Sequence, residues 1–260
     1  MSPLLALLLG IVQGLTEFLP ISSSGHLKLF EYLFGLRDLD AYLPFDLVCH
    51  LGTLTALLII FGPDVRSLFS RRRFTLLLLV IGTLPLVPLA LIKGPLSSLY
   101  ASPKLLGPFF ILTALLLFLG ERARTLAESK PAGKLCRDAL VIGAFQALAL
   151  IPGVSRSGST ITGARLMGWD RYDAVRFSFL LSLPAVLGAC LLTGLELARG
   201  DIPLAPMGGI DYAIGYGASL ITGYGALKLL LRWVEEKGLK AFAWYCFGLG
   251  LFATLIFNIG

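Results

Sequence analysis

Residues 13–25, Gln13-Gly-Leu-Thr-Glu-Phe-Leu-Pro-Ile-Ser-Ser-Ser-Gly25, recur in altered form as residues 146–158, Gln146-Ala-Leu-Ala-Leu-Ile-Pro-Gly-Val-Ser-Arg-Ser-Gly158. The two stretches align without a gap: Gln13 with Gln146, Leu15 with Leu148, Ser22 with Ser155, Ser24 with Ser157 and Gly25 with Gly158. Both interrupt strongly apolar sequence. The polar residues in and beside them, Glu17, His26, Arg156 and a cluster of hydroxyls, are costly to place in a bilayer, so they read as a functional site.

The chain around them is 56% hydrophobic and only 15% charged, with a mean hydropathy of +0.83. In soluble domains the apolar share, glycine included, is about 45–50%, so composition predicts an all-α polytopic membrane protein. Nearly every residue lies in or beside an apolar run, which predicts one membrane domain over residues 1–260. The start, Met-Ser-Pro-Leu-Leu-Ala, has no basic n-region and no cleavage site before the polar motif, so it is expected to belong to the fold. The four cysteines, Cys49, Cys136, Cys190 and Cys246, have no CxxC spacing and are expected to be small packing residues. A net charge of +6 would suit nucleic acid. The basic residues cluster between apolar runs, however, so membrane orientation and acidic lipid heads account for them, and no nucleic-acid partner is expected.

A crossing helix needs about 20 mostly apolar residues. Six stretches meet or approach this: 44–62, 74–93, 105–120, 175–195, 210–231 and 241–259. Basic residues follow the first (Arg66, Arg71, Arg72, Arg73), third (Arg122, Arg124, Lys130, Lys134, Arg137) and fifth (Arg232, Lys237, Lys240), which places those loops in the cytoplasm. The other connections carry fewer: Arg37, Lys93 with Lys104, and Arg199. Residues 3–34 and 139–168 are broken by the repeated motif, and the flanking loops require each to enter and leave on one side. They are predicted re-entrant hairpins, turning at Pro20–Gly25 and Pro152–Gly158, the second followed by a short helix over 159–168. Each half, residues 1–121 and 134–260, is then one hairpin plus three spans. An odd number of crossings makes the second half an inverted repeat of the first, and in such folds the broken segments meet near the repeat interface.

Ser155-Arg156-Ser157-Gly158-Ser159-Thr160 sets a permanently charged fork among hydroxyls and glycine backbone at a helix start, a combination suited to phosphate. A serine-rich helix cap is the plainer reading of the same residues. The first loop offers Glu17 as base, cation ligand or ion-pair partner of Arg156, His26 as proton shuttle, and Ser22, Ser23 and Ser24 as hydroxyls, one of them a nucleophile. Gln13, four residues before Glu17, shares its helical face and can orient phosphate or pack by hydrogen bond. His50 has no metal-ligand spacing to His26 and is read as structural.

At these residues the chain resembles the undecaprenyl-diphosphatase family, also called the bacitracin-resistance family. QGLTEFLPISSSGH, FQALALIPGVSRSGSTITGARLMG and RFSFLLSLPAVLGA carry the resemblance, which covers essentially the whole chain. It implies hydrolysis of the terminal phosphate of undecaprenyl diphosphate, which recycles the lipid carrier for cell-wall synthesis. It also implies a place in the bacterial cytoplasmic (inner) membrane, a site opening toward the outer (periplasmic) face, and bacitracin acting on the substrate rather than on the protein. By the family's motifs, Ser23, Glu17, His26 and Arg156 are the catalytic residues, and Ser22, Gln13, Ser155, Ser157, Gly158 and Thr160 bind the phosphates. The activity implied depends on a divalent cation, Mg2+ or Ca2+, at Glu17, with Gln13 reached through water. Gln13 fills a motif position where the family allows Glu or Gln, which bears on any mechanism that needs two carboxylate ligands. Ser23 and His26 both remain as nucleophile, and a homodimer is left open.

Two other functions fit parts of the pattern. An inverted repeat with broken helices also builds secondary transporters, so a polyprenyl-phosphate flippase or anion transporter is the alternative from another class. Ser24-Gly25-His26 matches an element of the type 2 phosphatidic acid phosphatases, but those need a histidine shortly after a Ser-Arg pair, and His26 and His50 are the only histidines.

Overall fold

The computed structural model describes residues 1–36, 39–90, 102–126, 130–201 and 207–259. Arg37 and Lys93, and the end of the predicted 74–93 span, lie outside the described residues. Every regular element among those described is helical.

The first apolar arm is α1, Pro3–Phe18. Ser2 caps it by accepting a hydrogen bond from the Leu5 N–H, and Pro3 sits at the first position, where a missing N–H costs nothing. It ends because Pro20 pushes Leu19 into extended backbone (ψ 141°). The return arm, α2, is Ser23–Leu33. The long α3, Leu43–Leu68, follows, then α4, Arg73–Thr83, and α5, Leu86–Ala90. These last two are the described part of the predicted 74–93 span, which is not one continuous helix. Pro85 cannot donate to Ile81 and crowds its carbonyl, so the helix tightens at Leu84 and restarts.

The second half opens after α6, Leu106–Arg122. Its broken segment is α7, Ala132–Leu148, and α8, Arg156–Leu166. Three long helices complete the chain: α9, Arg171–Arg199; α10, Gly209–Lys237; and α11, Lys240–Ile259. Five stretches are long and apolar enough to cross a membrane, namely α3, α6 with its preceding turn, α9, α10 and α11. In contrast α1 and α7 are about 25 Å long, and α2 and α8 about 16 Å, at 1.5 Å per residue. Against a hydrocarbon layer of about 30 Å none of these four spans alone.

Packing places the broken segments across from one another. On α1 the buried positions Ala6, Leu9, Gly10, Gln13, Gly14 and Glu17 recur every three or four residues, and α1 lies along α10. The fit is backbone to backbone: a Cβ at Gly14 would come within 2.7 Å of the Ser219 carbonyl oxygen. The corresponding arm of the second half, α7, lies along α4, while α3 meets α9 and α6 meets α11. The main core joins Phe18, Phe61 and Phe179, edge to face at 5.7 and 6.0 Å, to Ile142, Ile161 and Leu181. Exposed large apolar residues line the five long helices, among them Ile59, Leu115, Leu191, Ile221 and Leu255, and others lie on α1 and α4, such as Leu4, Leu8, Leu77 and Val80.

Many of the basic residues gather at one end. Glu121 pairs with Arg171 (2.7 Å) and accepts from the Leu239 N–H, which joins the ends of α6 and α10 to the start of α9. Asp64, at the end of α3, holds Arg72 and Arg176, and Asp138 holds Lys130 and the Trp169 indole. The predicted core role of the cysteines fits Cys49 and Cys246, which are buried. Cys136 and Cys190 are half-buried, and all four are free.

Candidate active site

The two breaks in the helices are built alike. Ser22 caps α2 and Ser155 caps α8, each by accepting a hydrogen bond through Oγ from the N–H of the glycine three residues on, Gly25 at 3.3 Å and Gly158 at 3.1 Å. Those four residues are aligned pairs of the repeated sequence. The second helix therefore begins at Arg156, three residues before the predicted 159, because Ser155 and not a later serine supplies the cap. The breaks differ in backbone. Ser155 has an ordinary φ of −71°, whereas Ser22 stands at +70°, a region costly for a residue with a Cβ.

The loops touch directly. Ser157 Oγ donates to the Leu19 carbonyl at 3.2 Å, and the Arg156 guanidinium pairs with Glu17 Oε1 through Nη2. Glu17 Oε2 accepts from Ser23 Oγ at 2.6 Å and from Gln13 Nε2 at 2.9 Å. Both α2 and α8 thus start beside this ion pair, which brings the positive ends of two helix dipoles near it. Glu17 is nearly closed off, its side chain 5% exposed, while that of Arg156 remains 22% exposed with four guanidinium N–H bonds to spare. A carboxylate bound to a serine hydroxyl, an arginine fork and two helix N-termini can activate an oxygen nucleophile and hold a phosphoryl group.

Not every predicted residue joins this cluster. His26 is 2% exposed and its ring is committed elsewhere: Nδ1 donates to the Ser22 carbonyl at 2.7 Å and Nε2 accepts from the Tyr245 hydroxyl at 2.8 Å, with the Phe110 ring packed on it in a T-shaped contact. Thr160 is buried between α8 and α9, where its hydroxyl bonds the Arg156 carbonyl and Ser178 Oγ. The Ser155 and Gly158 groups satisfy one another in the cap, and the Ser155 hydroxyl also meets Ser157 Oγ at 3.3 Å.

Three contributors were not predicted. His50, read as structural, places Nε2 3.6 Å from Glu17 Oε2. Tyr245 pins His26; an aromatic in the apolar run of α11 gave no hint of that. Thr113 of α6 accepts from the Ser155 N–H at 3.0 Å and donates to the Gly153 carbonyl at 3.1 Å, which fixes the turn before α8. A lone threonine in an apolar helix carries no such signal.

Fold and site together define a helical membrane protein with a polar, phosphate-suited centre shared between two broken helices. The family model described as bacitracin resistance protein BacA matches residues 6–252, so the chain belongs to that family. It is 42% identical to the undecaprenyl-diphosphatase of Protochlamydia amoebophila, over 98% of both chains. It is 40% identical to that of Carboxydothermus hydrogenoformans, over 95% of this chain and 94% of the relative, and 40% identical to that of Rhodopirellula baltica, over 96% of each.

Proposed function

We propose that this chain hydrolyses the terminal phosphate of undecaprenyl diphosphate, giving undecaprenyl phosphate and inorganic phosphate, in the bacterial cytoplasmic membrane. One observation carries the chemistry: Ser23 Oγ bonded to Glu17 Oε2, with Arg156 on the other carboxylate oxygen. Ser23 Oγ attacks the outer phosphorus as its proton passes to Glu17. The bond from that phosphorus to the bridging oxygen breaks, and undecaprenyl phosphate leaves with the electron pair. Water then cleaves the phosphoserine and releases phosphate. Arg156 and the helix N-termini steady the negative oxygens throughout. His26, with both ring nitrogens engaged, supports the serine and orders the first loop; this favours Ser23 as nucleophile.

For a divalent cation, the described residues include no cluster of three or more His, Cys, Asp or Glu side chains. What fits is a cation arriving with the diphosphate, since Mg2+ is commonly held by one or two carboxylates plus phosphate oxygens. Glu17 Oε2 and the buried, unpartnered Gln13 Oε1 would be its protein ligands. Bound there, it would neutralise phosphate charge.

The same reading includes the full topology, six crossings and two re-entrant hairpins in inverted repeats, residues 1–121 and 134–260, opening outward. Its support is the paired caps at Ser22 and Ser155 and the matching placement of α1 on α10 and α7 on α4.

The test is phosphate release from C55 diphosphate by the protein purified in detergent. Release that stops with chelator, and falls by about a thousandfold or more in Ser23→Ala, is expected. No release by the unaltered protein would overturn the function; near-normal release by Ser23→Ala would remove the nucleophile.

A further inference from the structure

We infer that a cavity at the basic end of the molecule, between α3, α9 and α10, takes the phosphate of an anionic glycerophospholipid. The cavity holds about 170 Å3 and is lined by Ile60, Phe61 and Asp64 of α3, Tyr172 and Arg176 of α9, and Leu231 of α10. It is separate from the Glu17 site, since Asp64 lies about 21 Å along α3 from His50, at 1.5 Å per residue. A cavity of about 150 Å3 admits a benzene-sized guest, so this one has room for a phosphate diester and its glycerol carbons.

Charge selects the ligand. Asp64 Oδ1 accepts from Arg72 at 3.4 Å and also from Arg176, so one acid answers two guanidinium groups. Arg176 gives one of its N–H bonds to Asp64, and its Nε–H is buried with no acceptor. Its guanidinium stands over the Tyr172 ring at 5.8 Å, which keeps it at the cavity wall. A buried donor is costly to leave unmatched, and a phosphate oxygen meeting the guanidinium from the cavity supplies the missing acceptor. Asp173, three residues before Arg176 on α9, is exposed to solvent and is outnumbered by exposed Arg66, Arg71 and Arg73 at the turn from α3 to α4.

The rest of the lining distinguishes a lipid from free phosphate. Ile60, Phe61 and Leu231 offer glycerol carbons and the first methylenes an apolar surface that inorganic phosphate cannot use. Ile60 lies one turn farther from the end of α3 than Asp64, and its neighbour Ile59 is exposed, so the lining passes from charge at the helix end to lipid-facing surface. Tyr172, exposed as well as lining the cavity, is of the residue type that membrane–water interfaces favour. Basic pockets between transmembrane helices on the cytoplasmic side are suited to acidic lipid heads.

The experiment is native mass spectrometry of the full-length protein released from detergent micelles that contain equal amounts of phosphatidylglycerol and phosphatidylcholine. Phosphatidylglycerol should be retained about fivefold or more over phosphatidylcholine, the worth of about one arginine near an acidic head. Leu231→Trp, which fills the cavity and leaves every charge in place, should abolish that preference, and Arg176→Gln should do the same. Excess inorganic phosphate should not displace the lipid. Equal retention of the two lipids by the unaltered protein overturns the inference, whether or not either variant folds. So does a preference that survives either variant, which puts the lipid elsewhere, or displacement by phosphate alone, which makes the cavity a site for the free anion.

Discussion

Glu17 receives Arg156, Ser23 and Gln13 at hydrogen-bond range and His50 just beyond it. Removing Arg156 would leave a buried carboxylate without its counter-charge, a change that destabilises proteins by about 3–5 kcal/mol; the partial exposure of Arg156 argues for the lower figure. Arg156→Ala should therefore lower the melting temperature and also cut phosphate release by about a hundred- to a thousandfold. The double variant Arg156→Ala with Glu17→Gln separates the two effects. It should regain most of the stability and none of the activity, as read by thermal melts and phosphate release in detergent. Recovery of activity would make the pair merely structural. The pairing itself was legible in the sequence, because a charge in apolar surroundings needs its opposite. The commitments of His26 were not: its partners are the carbonyl of its own turn and a tyrosine far along the chain. The approach of His50 to Glu17 was not legible either, since only the fold brings α3 beside α1.

At the level of elements, the repeated sequence foretold two broken segments and allowed a serine cap at the second, while the cap at Ser22 and the difference in backbone conformation came from the structure. Ser22 holds a left-handed φ that glycine adopts freely, and an N-cap loses only a few tenths of a kcal/mol when serine becomes glycine. Ser22→Gly should leave thermal stability unchanged or raise it. Ser155→Ala, at an ordinary φ, has no strain to relieve and should cost about 1 kcal/mol. Equal losses in the two melts would mean that the strain at Ser22 is not felt. Sequence fell short where a local rule depends on one atom. The true cap at Ser155 moved the α8 start forward from 159, and Pro85 divided a run whose hydropathy alone looked continuous.

Across the whole molecule, basic loops carried the most information, and the structure gathers many of their side chains at the end where α3, α6 and α10 finish. What sequence could not supply was how tightly those charges are tied: Asp64, Glu121 and Asp138 hold arginines and lysines there as well as leaving others free to meet lipid heads. The outward-opening arrangement can be tested on the protein's own thiols. Cys49 and Cys246 are buried, while Cys136 and Cys190 are half-buried. Cys136 precedes Arg137 at the basic end. Cys190 lies about 28 Å along α9 from Arg171, at 1.5 Å per residue. A small membrane-impermeant thiol reagent added outside intact cells should modify Cys190 and spare Cys136, with the reverse in inverted vesicles. Cys190 modified only from the cytoplasmic side would place the opening on the wrong face, even with the chemistry at Ser23 and Glu17 intact.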